Sequence, residues 1–300
     1  MLFQRSSETL EDVGRANVYM DNRTAIYGGF VIRGRKIGNY DPLFFKYLLA
    51  TPLARKRTCR MGAGAQHFNI GQEGLSKISL YFPSIEEQRK IAGFLSLIDE
   101  RIATQNKIIE DLKKLKSAIS LKMLHSDSWK QFKIKDIASI GRGRVISSVE
   151  ISQQDNPLYP VYSSQTSNEG IMGYLDNFMF EGEYINWTTD GANAGTVFYR
   201  DGKFNCTNVC GLLKLGDEFD TYFVSLVLAE ATKKYVSTNL ANPKLMNNTM
   251  GSIQIRLPKL KEQKRISIAF RKLRELLEVH NSLLTEYSKL KQYLLSQMFI

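Results

Sequence analysis

The residues that could do chemistry are few, and most of them lack their partners. A methyl transfer to adenine nitrogen would need an (Asn/Asp)-Pro-Pro-(Tyr/Phe) loop. The nearest approaches, Asp41-Pro42-Leu43, Asn156-Pro157-Leu158 and Asn242-Pro243-Lys244, all lack the second proline and the aromatic residue. No G-x4-G-K-(S/T) stretch is present to cradle a nucleotide phosphate. Glu262-Gln263-Lys264 superficially fits the end of a nuclease metal motif, but it opens a helix and has a duplicate, Glu87-Gln88-Arg89, which favours a structural role. Cys206 and Cys210 lie four apart, a spacing open to zinc, with no histidine nearby. Catalysis and metal binding are therefore not expected of this chain. What remains are polar loops with side chains suited to nucleic-acid edges. Arg142 and Arg144 could reach guanine or phosphate, or could decorate a solvated turn. Ser164, Gln165 and Asn168 lie in a polar run, and amide side chains of this kind suit adenine. Lys244, Asn247 and Asn248 form a third group, and Gln66, His67 and Asn69 a fourth.

These loops must be held by something, and the chain is organised around one long amphipathic stretch, Pro83 to Met123. Its heptad seam reads Ile91, Leu95, Ile98, Ile102, Gln105, Ile109, Leu112, Lys116, Ile119 and Met123. Eight of the ten are apolar, where 43% hydrophobic content would give about four. Adding 175 to each number gives Ile266, Phe270, Leu273, Leu277, His280, Leu284, Tyr287, Lys291, Leu294 and Met298, with the polar slots in the same two places. The stretch is one helix used twice, so the chain is an internal duplication. A helix from Glu86 to Met123 has 38 residues and spans roughly 57 Å at 1.5 Å per residue. Ser84-Ile85-Glu86-Glu87 reads as a capping box behind Pro83. The polar seam pairs, Gln105/His280 and Lys116/Lys291, are expected to fix register at some cost in stability.

Length and charge agree with this plan. Three hundred residues suggest two domains. A formal net charge of +11 favours a polyanionic partner, nucleic acid before membrane, because no apolar run approaches 18 residues. No secretory signal is read at Met1–Met20, and the three cysteines form no paired framework, so a reducing cytoplasm is expected.

In chain order, residues 1–84 read as mixed α and β. Short strands are expected at Val18-Tyr19, Gly29–Ile32 and Ile78–Phe82, and a helix over Leu43–Leu53. The basic stretch Arg55–Arg60 leads into a flexible polar loop at Gly62–Asn69. After the linker His125–Ser128, a second domain opens at Trp129, turns at Gly141–Arg144 and continues glycine-punctuated and β-rich through 170–215. A helix over Tyr222–Leu228 matches Phe44–Leu49, the Asn242–Asn248 loop takes the place of the Gln66 loop, and Ile253–Leu257 matches Ile78–Phe82. The domains share layout more than residues, the pattern of two like scaffolds with unlike reading surfaces.

A domain that ends in a strand, followed by Pro-x-x-x-Glu-Gln-(Arg/Lys)-(Arg/Lys)-Ile opening a long helix, twice, resembles the specificity subunit of type I restriction-modification systems. Pro83 with Glu87-Gln88, Pro258 with Glu262-Gln263, and the Trp129 opening carry the resemblance, which spans almost the whole chain. It implies an α+β fold: a target-recognition domain at 1–84, a spacer helix at 85–125, a second target-recognition domain at 126–258 and a second spacer helix at 259–300. The helices would form an antiparallel coiled coil with Ile98, Ile102, Gln105, Ile109, Leu273, Leu277, His280 and Leu284 in its seam. It also implies a non-catalytic subunit that reads a bipartite site in double-stranded DNA. Two methyltransferase subunits and a restriction/translocase subunit would be its partners, with S-adenosylmethionine, ATP and magnesium on those partners only. The copies are unequal: Gly14 and Val18-Tyr19 pair with Gly195 and Val197-Phe198, and Gly29–Val31 with Gly211–Leu213, which sets Met1 near residue 182. The first domain is thus expected to be a shortened reader, leaving two alternatives open: an incomplete or silent specificity cassette, or a coiled-coil scaffold that does not read DNA.

Overall fold

The computed structural model describes residues 1–237 and 242–299, so Ile300 of the second spacer span lies outside the described residues. The chain divides into two compact units, Met1–Asp111 with Leu277–Ile300, and Leu112–Leu276. Each unit therefore contains one globular part and one stretch of each long helix.

In the first unit, β1 (Leu2–Gln4), β2 (Ser6–Ser7), β3 (Ala16–Asn17) and β4 (Val31–Arg33) precede α1 (Pro42–Leu48), α2 (Pro52–Cys59), β5 (Phe68–Asn69) and α3 (Gln72–Ser76). The sheet order is β3-β1-β4, all antiparallel, with β2 and β5 paired separately. The single helix expected over Leu43–Leu53 is two. Thr51 is extended (ψ 153°) and caps α2, with Pro52 at its first position. A proline has no N–H to continue α1 and disfavours the helical conformation in the residue before it. The basic stretch is not a loop entry but the body of α2, where Arg55 donates to the carbonyls of Glu11 (2.7 Å) and Val13 (2.6 Å). The first expected strand sits two residues early, at Ala16–Asn17. Ser79–Phe82 form no strand, because no neighbouring strand pairs with them among the described residues. The long helix α4 (Ile85–Met123) follows.

The second unit adds β6 (Lys130–Lys133), α5 (Ile134–Ile137), β7 (Ala138–Arg142), α6 (Ser148–Ser152), β8 (Tyr159–Tyr162), β9 (Ile171–Leu175), β10 (Phe180–Glu181), β11 (Tyr184–Thr188), β12 (Val197–Arg200), β13 (Lys203–Cys206) and β14 (Cys210–Leu215). Next come α7 (Thr221–Ala231), α8 (Asn247–Ser252), β15 (Gln254–Leu257) and the second long helix α9 (Leu260–Gln297). One sheet runs β12-β11-β14-β7 and a second β10-β13-β8-β9, while β15 pairs β6. Gly141-Arg142 end β7 instead of forming a turn, since Gly211 and Leu212 of β14 pair with them. The main core packs β11 and β14 against α7 through Ile185, Trp187, Leu213, Phe223 and Leu228, with Ile134 and Ile137 of α5 completing it. A smaller cluster of Phe204, Cys206, Cys210 and Leu212 is formed by residues of both sheets.

The two globular parts share one scaffold, visible in backbone hydrogen bonds. Gly14 N–H bonds Gln4 C=O, and Gly195 N–H bonds Thr188 C=O, both at 2.8 Å and with both glycines at positive φ (+69° and +81°). Ile70 N–H bonds Arg5 C=O, and Leu245 N–H bonds Thr189 C=O, both at 2.9 Å. β1 thus corresponds to β11, β3 to β12 and β4 to β14. The register differs from the sequence alignment: Val31 matches Cys210, not Leu213, and Met1 matches Ile185.

Each globular part docks on its helix through one buried glutamine. Gln88 accepts from Asp41 N–H (2.9 Å) and donates to Pro83 C=O (2.8 Å). Gln263 accepts from Asp220 N–H (3.0 Å) and donates to Pro258 C=O (2.8 Å). Asp41 and Asp220 in turn cap α1 and α7 by accepting from Phe44 N–H (2.8 Å) and Phe223 N–H (2.7 Å). The Glu-Gln motif is therefore structural, and it is the glutamine that does the holding.

Within the first unit α4 and α9 run antiparallel: Leu95 and Ile98 pack with Leu294 and Leu295, and Gln105 meets His280 Nδ1 at 2.7 Å. Within the second, Ile119 and Met123 join the core that contains Ile266 and Phe270. Ile98, Gln105, Ile109 and Leu273 are buried, while Ile102, Leu277, His280 and Leu284 are half-buried. Gln105 pairs with His280 and not with Lys291. Lys291 instead meets Asp99 at 2.5 Å, where Tyr47 OH also donates (2.9 Å) and Lys46 lies at 3.5 Å. Partial burial alone would raise the Asp99 pKa. The bonds from Lys291 and Tyr47 and the charges of both lysines outweigh it and hold the carboxyl below its ordinary value of 3.8.

Two expectations follow from these contacts. Gln263→Ala leaves the Asp220 N–H and the Pro258 C=O without partners in a buried place, and should lower stability by about 1–3 kcal/mol in chemical denaturation. Asp99 has a folded pKa below its unfolded one, so its contribution is fully present above the unfolded value and is lost as pH falls through the folded value. The urea midpoint of Asp99→Asn should thus lie below that of the native chain near neutral pH and converge on it only at pH below about 4. A constant gap down to low pH would contradict this.

Candidate nucleic-acid interface

The polar candidates of the second unit converge because of strand direction. β7 and β11 both pair antiparallel with β14, so their C-terminal ends lie beside its N-terminal end at Cys210. β13 ends at Cys206, just before β14 begins, and pairs parallel with β8, whose last residue is Tyr162. Arg144 N–H reaches Cys206 C=O (3.2 Å), and Thr207 N–H reaches Tyr162 C=O (2.9 Å). Gly143 is required here, since any Cβ would collide with the Cys206 carbonyl. One edge therefore collects 142–144, the loop after β8, the 207–209 turn and the residues after β11. The 242–247 segment joins it through Gly191 N–H to Pro243 C=O (3.0 Å) and the bridge between Asp190 and Lys244.

On this edge Arg142, half-buried, donates Nε–H to Asn247 Oδ1 at 2.9 Å. Arg144 forms a two-pronged pair with Glu150, one arm at 2.9 Å, and the Arg144 guanidinium holds the Glu150 carboxyl below its usual value. Lys244 faces Asp190 at 3.6 Å. Asn248 is exposed with the first turn of α8. Ser164, Gln165 and Asn168 share the loop between β8 and β9. Asn168 is exposed at φ +49°, whereas Gln165 turns back to donate its amide to Ile171 C=O. In the first unit Gln66, His67 and Asn69 are all exposed, with Asn69 donating to His67 C=O at 3.2 Å. Asn69 C=O accepts from Ala63 N–H as Lys244 C=O accepts from Ser237 N–H, so the two loops hold the same place in the two copies.

Sequence reasoning missed Arg200, which builds the loop after β8 from beneath. It is 4% exposed, lies 3.6 Å from the Tyr162 ring centroid, and donates to Asn186 Oδ1 (2.8 Å) and Glu169 C=O (2.6 Å). Burial pulls its pKa down from the usual guanidinium value. No sequence signal marks it, since its partners lie 14 and 31 residues away. Cys206 and Cys210 are free and buried in an apolar cluster; burial pushes both thiols up, and no group of three potential metal ligands occurs among the described residues.

Comparison with known proteins places this geometry. Residues 16–114 and 126–287 match the model of the type I restriction modification DNA specificity domain. A Mycoplasma pneumoniae protein assigned as type I specificity subunit S.MpnORF201P is 36% identical over 206 residues, covering 66% of this chain and 85% of the relative. The type I restriction enzyme MpnII specificity subunit of the same species is 42% identical over 147 residues, 47% of this chain and 44% of that one. In fold, the chain resembles the crystal structure of a type I restriction-modification S subunit from M. genitalium, with a TM-score of 0.68 at 19% identity over 87% of this chain and 73% of the other. With two matched segments that together span most of its length, each carrying the same glutamine-locked scaffold, this chain belongs to the type I restriction-modification specificity subunits.

Proposed function

We propose that the edge at the start of β14 reads one half of a bipartite duplex DNA site and that the Gln66–Asn69 loop contributes to reading the other. As a specificity subunit the chain is a non-catalytic DNA-recognition component of a type I restriction-modification complex. Its finer role, in this reading, is to direct two methyltransferase subunits and a restriction/translocase subunit to that site. S-adenosylmethionine, ATP and magnesium belong to those partners, and the complex works in the cytoplasm. Among the described residues no helix is long and apolar enough to cross a membrane. The readers are assigned to residues 1–84 and 126–258. The observation that supports the reading most is the convergence of Arg142, Arg144, Lys244, Asn247 and Asn248 from segments about a hundred residues apart onto one strand-end edge. Arginine there suits guanine or phosphate, and asparagine suits adenine.

Substitution in the assembled complex tests this. Arg142→Ala or Lys244→Ala should weaken DNA binding. Loss of a base contact should cost ~1–3 kcal/mol at one position of the site. Loss of a phosphate contact should weaken all sequences alike and lower the salt slope by about one. Unchanged binding by both variants would place the interface elsewhere. Arg200→Ala, which exposes no new surface group, should destabilise the second unit by about 3 kcal/mol through lost charged hydrogen bonds. It should also relax specificity in a methylation-site readout, whereas Arg15→Ala, an exposed change, should do neither.

A further inference from the structure

The two copies differ in what covers one face. In the second unit, β6, α5 and β7 lie across the core: Phe132 pairs with Ile255, Ile140 with Leu213, and Ile134 and Ile137 are buried beneath. The corresponding face of the first unit is a groove of about 370 Å³ lined by Phe3, Phe45, Leu49, Ile78, Leu80 and Phe82, among others. These residues match Trp187, Val224, Leu228, Ile253, Ile255 and Leu257, all in the core of the second unit. The difference in burial is large at the end of the row: Phe82 is 52% exposed and Leu257 is 1% exposed. Both edges that flank the groove are open. β4 pairs only with β1 among the described residues, while its counterpart β14 pairs with β11 and β7. Ser79–Phe82 pair with no strand, while their counterpart β15 pairs with β6. An apolar groove between two unpaired edges is a template for strand addition.

We propose that this groove takes a strand–turn–strand segment with the pattern of Trp129–Arg142: two short strands around a one-turn helix, apolar where Phe132, Ile134, Ile137 and Ile140 stand. One strand would pair with Ser79–Phe82 and the other with the end of β4 and the residues after it, Ile32–Lys36. The two central apolar side chains would fill the groove. The proposal rests on the comparison of the two copies and not on the DNA reading, so either can fail alone.

The probe is a synthetic peptide with the sequence Trp129–Arg142, added to the full chain and followed by amide hydrogen exchange. In the free chain, amides of 32–36 and 79–82 should exchange at least tenfold faster than those of 211–215 and 254–257. Saturating peptide should slow 32–36 and 79–82 by tenfold or more. Ile78→Asp, which sets a charge in the groove, should abolish that slowing, with exchange in α1 and α2 of the same unit unchanged as the check that the first unit remains folded. Equal protection of 79–82 and 254–257 in the free chain would overturn the proposal. So would a peptide that changes nothing, or one that alters only 211–215 and 254–257 by exchanging with the chain's own segment.

Discussion

The structure depends on a glutamine side chain that is used twice. Gln88 and Gln263 each take a backbone N–H from one element and give an N–H to the backbone carbonyl of another. An amide suits the place because it is both donor and acceptor, whereas a carboxylate could only accept and would carry a buried charge. The N–H it accepts belongs to the residue that caps a helix of the globular part, α1 in one copy and α7 in the other. Helix start, strand end and long helix are thus fixed against one another at a single buried point. Both of its partners are backbone atoms, so the globular residues can vary widely without disturbing the junction. That accounts for two copies whose helices read alike while their domains do not.

The two docking points have been elaborated differently. In the second copy Ser267 adds a bond to Asp220 (2.5 Å), where the first copy has Ala92. In the first copy Asp99 gathers Tyr47, Lys46 and Lys291, while Arg274 in the matching place of the second meets Glu169 at 3.1 Å. These differences break the symmetry of a duplicated helix pair. The Asp99–Tyr47–Lys291 cluster and the Arg274–Glu169 pair use residue types that the matching place in the other copy lacks, which disfavours interchange of the two ends.

The sequence showed whatever depends on local periodicity. The seam from Ile91 to Met123 and its echo 175 residues later are legible because a helix repeats its own face, and the cap at Ser84 is legible because its bond to Glu87 N–H is local. Pairing between distant strands is not. Ile78–Phe82 and Ile253–Leu257 have similar patterns, and among the described residues only the second has a strand beside it, so similar text gives coil in one copy and β15 in the other. The break at Thr51-Pro52 was readable from proline chemistry but was outweighed by the apolar run around it. At the candidate interface the residue types were legible, whereas the Arg144–Glu150 pair depends on the turn between β7 and α6, and the buried Arg200 on folding distant segments together.

The cations of the β14 edge are already in company. Arg144 has Glu150, Lys244 has Asp190, and Arg142 has the Asn247 amide. A count of +11 for the whole chain therefore overstates the pull that this edge exerts on a passing polyanion. Loose, sequence-blind attraction falls when each positive group has a neighbour that competes for it. In the proposed reading, a duplex gains from these side chains only where its own acceptors compete successfully with Glu150, Asp190 and Asn247. On that reading the edge is less adhesive to arbitrary DNA than its composition suggests, which would shorten the time spent at wrong sites during a search.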